Sequence, residues 1–369
     1  MNIEAIEIHH ISMPLVHRFE TSMHVEQERE CILIHVEGDG HEGWGECVAQ
    51  KVPWYSYESI GTAWHVLEDF LVPAVLGREL EAPSAFPERV MGIKGHPMAK
   101  AGLELALWDL AGQIGGESLS EMLGGERTQV EVGVSIGIQD DVETLLNVVR
   151  DHLSEGYRRI KLKIKPGMDL EYVEAVREAH PDLPLQGDAN AAYDAHQSKI
   201  FKDMDRFALM LIEQPFPEED IQAHAELQAQ VSTPVCLDES IRSVTMARQA
   251  LDLDACRIIN IKAGRVGGLT EAVKIHDLCS ARNIPVWCGG MLETGIGRAS
   301  NLALASLPRF TLPGDISATD RYYEVDVANP RFELNSDGTI GVPTEPGLGV
   351  DVDQTALDKF TIRTTHFAA

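Results

Sequence analysis

The stretch RRIKLKIKPG, residues 158–167, alternates lysines with aliphatic residues: Lys161, Leu162, Lys163, Ile164, Lys165. Successive side chains of a strand point to opposite faces, so the three lysines share one face and Leu162 and Ile164 the other. Taken alone, this is a solvated edge strand whose charges discourage pairing with other chains. Its neighbours change that reading. Similar β-branched runs recur on both sides: QVEVGVSIGI before it, and LPLQGDANA, ALMLIEQP, TPVCLDES, CRIINIKAG, IPVWCGGM and FTLPGDIS after it. The total is eight, each standing before a helix-like segment such as DLEYVEAVREAH or LTEAVKIHDLCSARN. Strand alternating with helix predicts a parallel sheet, and eight units over about 190 residues suit a barrel better than an open sheet. No G-x-G-x-x-G follows the first strand, which weakens the dinucleotide-binding alternative.

Upstream of the repeat the pattern is different. IEAIEIHHISMPL and RECILIHVEGDGHEGWGECVA alternate as antiparallel strands, with a hairpin turn at Gly38-Asp39-Gly40. Helical spacing follows over residues 59–77 and 99–114, the latter ending in glycines suited to stopping a helix. The expected fold is therefore α/β: an α+β domain over residues 1–125, a barrel over 126–320, and a segment over 321–369 packing back on the first domain.

Composition narrows the function. The 369 residues carry 31 Lys and Arg against 58 Asp and Glu, a net charge of −27 that opposes nucleic acid and anionic membranes. No apolar run approaches the roughly 20 residues of a membrane span, and the opening MNIEAIEIHH lacks the features of a signal peptide. The six cysteines contain no C-x-x-C pair, which argues against zinc knuckles and disulfide frameworks. The expected setting is the cytoplasm.

In a parallel barrel, active groups collect at the C-terminal strand ends, where the loops surround one mouth. Reading those ends in order gives Lys163, Asp188, Glu213, Asp238 and Lys262, separated by 25, 25, 25 and 24 residues. A lone Asp at a strand end is commonly a helix cap, but independent caps have no reason to fall into one Lys–carboxylate–carboxylate–carboxylate–Lys beat. Three carboxylates at one rim repel unless protonated or bound to a cation. All-oxygen ligation favours Mg²⁺, with Mn²⁺ as the alternative, over zinc. Such an ion would withdraw charge from a substrate carboxylate and stabilise the enediolate left when the α-proton departs. The base is a lysine whose pKa is lowered by burial and by like-charged neighbours, and Lys161 beside Lys163 supplies that influence. Lys262 faces Lys163 across the mouth. Amines on both faces of one α-carbon permit racemisation or epimerisation; a β-leaving group diverts the same intermediate to elimination.

With these residues the chain resembles the enolase superfamily, in the group similar to muconate lactonising enzymes. That signature has K-x-K on the second barrel strand, acids on strands three to five and Lys on the sixth. ALWDLAG, KLKIKPG, GDAN, LIEQP, CLDESI, INIKAGRVGGL and WCGGMLETGIGR fall where the family places them, and with TLPGDIS the chain looks closest to the o-succinylbenzoate synthase and N-succinylamino acid racemase family. The resemblance implies a (β/α)7β barrel beneath a capping domain. It implies Lys163 and Lys262 as acid/base residues and Asp188, Glu213 and Asp238 as Mg²⁺ ligands. Lys161 would touch the substrate carboxylate and Asn190 would support the metal site. Cap loops near HRFETS and KVPWYSYE would cover the substrate, making Phe19, Tyr55 and Ser22 specificity candidates, with Ser135, Gly289, Met291 and Leu292 lining the succinyl side. Arg265 would tune the pKa of Lys262. Relatives also assemble as homo-oligomers, dimers or octamers. One position departs: many relatives read KPGRVGG where this chain has Ala263.

Other readings fit less well. A mandelate-racemase-like site needs a His on strand seven, which IPVWCGGM does not offer. A class I aldolase leaves the three carboxylates unexplained. A dipeptide epimerase would use acids at the last strand to bind the substrate ammonium, a role open to Asp315. A muconate-type cycloisomerase belongs to the same superfamily, and a barrel acting as a mere scaffold would have no need of every acid/base position filled.

Overall fold

The turn at Asp39-Gly40 fixes the register of the first sheet. Both residues have positive φ, 49° and 76°, the conformation of a two-residue hairpin whose twist matches its strands. The computed structural model describes all 369 residues. In it β1 (Ala5–Glu20) pairs antiparallel with β2 (Val25–Gly38), and the hairpin leads β2 into β3 (His41–Cys47). Alternation then sorts the side chains. Ile6, Ile8, Ile32, Ile34 and Val36 join the core under the cap helices, whereas Ile11, Met13, Cys31 and Leu33 join the core shared with the barrel. The cap helices run Ile60–Val75, with a π-helical turn at Leu67–Leu71, and Pro97–Gly115.

The barrel follows. After β4 (Gln129–Glu131) come β5 (Val134–Ile136), β6 (Ile160–Lys163), β7 (Leu185–Asp188), β8 (Leu211–Glu213), β9 (Val235–Leu237), β10 (Ile258–Ile261) and β11 (Val286–Cys288). Strands β5 to β11 lie side by side in chain order, all parallel. Trp287, Leu211, Cys236 and Ile258 fill the interior as a small core of their own, a packed layer rather than a channel. The chain then returns to the cap through β12 (Ala328–Asn329), β13 (Thr339–Gly341), β14 (Asp351–Val352) and β15 (Thr361–Ala368), the last pairing antiparallel with β1.

Two sequence expectations change. QVEVGVSIGI is two short strands, because β4 turns away to pair with β13 while β5 enters the barrel. FTLPGDIS is not a regular strand. Pro313 has no N–H to give a ladder, and this segment closes the ring only through bridges of Phe310 to Val286 and Gly314 to Val132. Bonds from Gly314 N to Glu131 O (3.0 Å) and Asp315 N to Cys288 O (2.8 Å) reinforce them. Only a single 3₁₀ turn, Thr319–Arg321, follows it.

Two buried carboxylates join cap to barrel. Glu46 on β3 accepts from Thr294 N (3.1 Å), Thr294 Oγ1 (2.7 Å) and Gly297 N (3.0 Å), at the start of the barrel helix Gly295–Ala305. Glu104 on the helix Pro97–Gly115 reaches Thr270 N (3.3 Å), at the start of the helix Leu269–Ala281. Unpaired N–H groups and the helix dipole make such ends receptive to acids. The second glycine of RVGGL is explained by this contact: Gly268 has φ +127°, and a Cβ there would lie 1.8 Å from Glu104 Oε2.

Candidate active site

The strand ends carry the polar beat to one rim. Lys161 and Lys163 close β6, Asp188 closes β7, Glu213 closes β8, and Asp238 and Lys262 immediately follow β9 and β10. Asp188 is in register with Lys163 on one side and Glu213 on the other. With β7, β8 and β9 between them, β6 and β10 stand on opposite sides of the ring. Lys161, Asp188, Glu213, Asp238 and Lys262 expose 2%, 1%, 0%, 0% and 5% of their surface. Charges this deep need partners.

The partners are one another. Lys161 Nζ lies 2.6 Å from Asp315, 2.9 Å from Glu213 and 3.0 Å from Asp188. Lys163 Nζ donates to Asp188 Oδ2 (2.6 Å) and Asn190 Oδ1 (2.7 Å). Lys262 Nζ donates to Asp238 Oδ2 (2.8 Å) and to the Tyr55 hydroxyl (3.0 Å), and Arg265 donates to Asp238 Oδ1. The three carboxylates therefore do not meet as a ready three-oxygen cage. Asp188 and Glu213 share the Lys161 ammonium, while Asp238 is turned to the other flank, because buried acids take the nearest cations.

The donor set nonetheless suits a hard divalent ion: three buried carboxylates on successive strands, with no His or Cys among them. Two further buried oxygens at this rim, Glu239 Oε2 and Asn260 Oδ1, have no partner.

The electrostatics separate the two opposed lysines. Burial pushes Lys163 down, the Lys161 ammonium adds to that, and Asp188 opposes it. Burial also acts to lower Lys262, but Tyr55, Glu213 and Glu239 outweigh it and hold the amine above its usual value. Burial lifts Glu239 to about 7. Asp315 is held at about 2: burial opposes ionisation, but Lys161 and Arg159 win.

Most of the expected substrate contacts reach the cavity between cap and barrel. Phe19, Tyr55, Ser135, Asn190, Met291 and Leu292 line it with Lys161, Lys163 and Lys262. Gly289 does not; Gly290 takes that place. A Cβ on Gly289 would lie 2.6 Å from Lys262 Cε, so this glycine makes room for the amine. Ser22 latches a cap loop to the rim, its Oγ donating to Ala189 O (3.1 Å). Asp315 has both oxygens engaged, one by Arg159 (2.7 Å) and one by Lys161. Its charge is already balanced by these two cations, which counts against a further role in binding a substrate ammonium and against the epimerase reading.

Sequence reasoning missed several residues. Arg159 and Asn260 stand two positions before Lys161 and Lys262, on the same inward faces; Asn260 Nδ2 donates to Glu213 Oε1 (2.7 Å). That alternation was a usable signal. His24 and Gln50 also line the cavity from the cap, and His24 Nδ1, Gln50 Oε1 and Ser135 Oγ are buried without partners. Nothing in the local sequence marks the two cap residues.

Comparison with known proteins agrees along the whole chain. Residues 5–124 match the mandelate racemase / muconate lactonizing enzyme N-terminal domain family, and residues 144–356 the enolase C-terminal domain-like family. The chain is 51% identical to an o-succinylbenzoate synthase of Geobacillus kaustophilus, over 98% of this chain and 96% of that protein. It is 49% identical to an N-succinylamino acid racemase of an Amycolatopsis species, over 98% of each. A crystal structure of an enolase superfamily member from Listeria innocua superposes with a TM-score of 0.96 at 41% identity, covering 100% of this chain and 99% of that one.

Proposed function

This chain belongs to the enolase superfamily, in the o-succinylbenzoate synthase and N-succinylamino acid racemase family, and from that premise we propose how its two lysines work. It is an enzyme that removes the α-proton of a small carboxylate substrate, acting as an o-succinylbenzoate synthase, an N-succinylamino acid racemase, or both. The observation that carries the mechanism is the placement of two amines, the largely buried Lys163 and the buried Lys262, across the mouth from each other with three carboxylates on the strands between.

Asp188, Glu213 and Asp238 would hold Mg²⁺, or Mn²⁺ in its place. When bound, the ion supplies positive charge that draws electron density from the substrate carboxylate. Lys161 binds the same carboxylate. Lys163, depressed by burial and by Lys161, takes the α-proton as general base. Asn190 aims it: its side chain accepts from Lys163 and donates to Glu239 Oε1 (2.9 Å). Lys262, held cationic, stabilises the enediolate on the opposite face. Racemisation follows when Lys262 returns a proton to that face. Dehydration follows when Lys163 instead passes its proton to a departing β-hydroxyl on its own side. Arg265 sets the charge around Lys262 through Asp238. Phe19, Met291, Leu292 and Ser135 shape the rest of the cavity.

The dehydration would serve menaquinone biosynthesis, in a cytoplasmic setting suited to six unpaired, buried cysteines. The test incubates the enzyme with Mg²⁺ in D₂O and either 2-succinyl-6-hydroxy-2,4-cyclohexadiene-1-carboxylate or N-succinyl-phenylalanine. Formation of o-succinylbenzoate supports the synthase; deuterium at the α-carbon of both enantiomers supports the racemase. Exchange without turnover of the cyclohexadiene rejects the synthase assignment, and neither reaction rejects the mechanism.

A further inference from the structure

We propose that Tyr55 is a positioning residue through which the cap sets the Lys262 ammonium, whereas the Lys163 amine bonds barrel side chains only. The inference rests on the two-lysine reading above. The Tyr55 hydroxyl accepts from Lys262 Nζ (3.0 Å) and donates to Asp238 Oδ1 (3.0 Å), and the amine stands 4.6 Å from the centre of the Tyr55 ring. The other groups within reach of that amine are Asp238 Oδ2 (2.8 Å) and Met291 Sδ (3.8 Å), a weak acceptor. Tyr55 is thus the one cap side chain bonded to Lys262.

The segment that carries it is built to point inward. Its base is tied by the bond from Ile60 N to Gln50 O (2.8 Å). Trp54 and Tyr57 on either side are 53% and 55% exposed, whereas Tyr55 is 8% exposed. An exposed loop that buries only this aromatic residue spends it on a contact inside the mouth. On the opposite flank, Lys163 bonds to Asp188 and Asn190, and Asn190 is fixed by Asp188 Oδ1 to its backbone N–H (3.0 Å) and by Glu239. All of these belong to the barrel. No cap side chain bonds the Lys163 amine.

The consequence is stereochemical. Each lysine serves one enantiomer, so losing the Tyr55 hydroxyl should impair one half of the reaction and spare the other. The test compares wild type and Tyr55→Phe for α-proton exchange of D- and L-N-succinyl-phenylalanine in D₂O with Mg²⁺, using Lys262→Ala to identify the enantiomer that Lys262 serves. Exchange of that enantiomer is expected to fall about ten-fold or more, since misplacing a reacting group is costly; the other should change less than about two-fold. A merely structural role would lower both together, and that outcome, or no change in either, overturns the proposal.

A second readout does not depend on turnover. Acetylation of Lys262 relative to Lys163, followed by peptide mass spectrometry, should rise several-fold in Tyr55→Phe; an unchanged ratio overturns the proposal. A wild-type enzyme that exchanged neither enantiomer would count against the racemase reading, and the acetylation ratio would still decide the role of Tyr55.

Discussion

The barrel mouth and the seam between cap and barrel both bury carboxylates, and they treat them in opposite ways. At the mouth, Asp188, Asp238 and Asp315 each bond a lysine or an arginine. At the seam, Glu46 and Glu104 bond backbone N–H groups at helix starts and no cation. Ammonium partners hold Asp188 well below the usual carboxylate range and Asp315 at about 2, against the effect of burial. Burial pushes Glu46 and Glu104 up to about 7 despite their donors. Asp188 and Asp315 are held ionised by their cations, whereas the seam acids, like Glu239 at the mouth, which burial lifts to about 7, act as hydrogen-bonding groups.

The largest break in this comparison is expected at the mouth. Lys163→Ala should lower α-proton exchange at the face it serves by about 10²–10⁴-fold, the usual worth of a general base, measured by mass spectrometry in D₂O. Retained full exchange would remove Lys163 as the base.

Asp315→Ala comes next. It leaves Arg159 and Lys161 facing each other without their shared counter-ion, and breaking a buried pair costs about 3 kcal/mol or more. The urea midpoint should drop accordingly. A midpoint within error of wild type would show that Asp315 is not part of the charge balance.

The seam acids and Asp315 respond to pH with opposite signs. A seam acid raised to about 7 binds its proton more tightly when folded, so its contribution is full below about pH 4.5 and is lost as pH rises through about 7. Asp315, depressed to about 2, contributes above about pH 3.8 and loses that contribution as pH falls toward 2. The seam contribution, read as the thermal midpoint of wild type relative to Glu104→Gln at each pH, should therefore decline from pH 5 to pH 8, and that of Asp315, read against Asp315→Ala, should be lost in strong acid. A wild-type advantage over Glu104→Gln that grows from pH 5 to pH 8 would contradict the seam assignment.

The smallest effect is the sharpest control. Glu104→Gln keeps the shape of an acid that is already largely protonated at pH 5, so it should cost less than about 1 kcal/mol there and flatten the decline toward pH 8. A loss as large as that of Asp315→Ala would mean the seam depends on charge after all.

Much of the site was legible in the chain because a parallel barrel is periodic. Each strand and helix consumes a similar length, so Lys163, Asp188, Glu213, Asp238 and Lys262 recur at nearly constant spacing and must reach one rim. The same alternation put Arg159 and Asn260 beneath that rim, where they were overlooked. FTLPGDIS holds the eighth place in the repeat, but Pro313 reduces it to isolated bridges.

The order of residues alone determined the repeat, the two lysines on opposite sides of the ring, and the acids between them, because each follows from local periodicity. Only the folded structure decided which cation each acid holds, that Gly290 rather than Gly289 borders the cavity, that Tyr55 bonds Lys262, and that His24 and Gln50 arrive from the cap. The acids meet cations between 24 and 156 residues away, and Tyr55 reaches Lys262 across 207; no local pattern records which side chains will meet when strands curl into a ring and two domains close on each other.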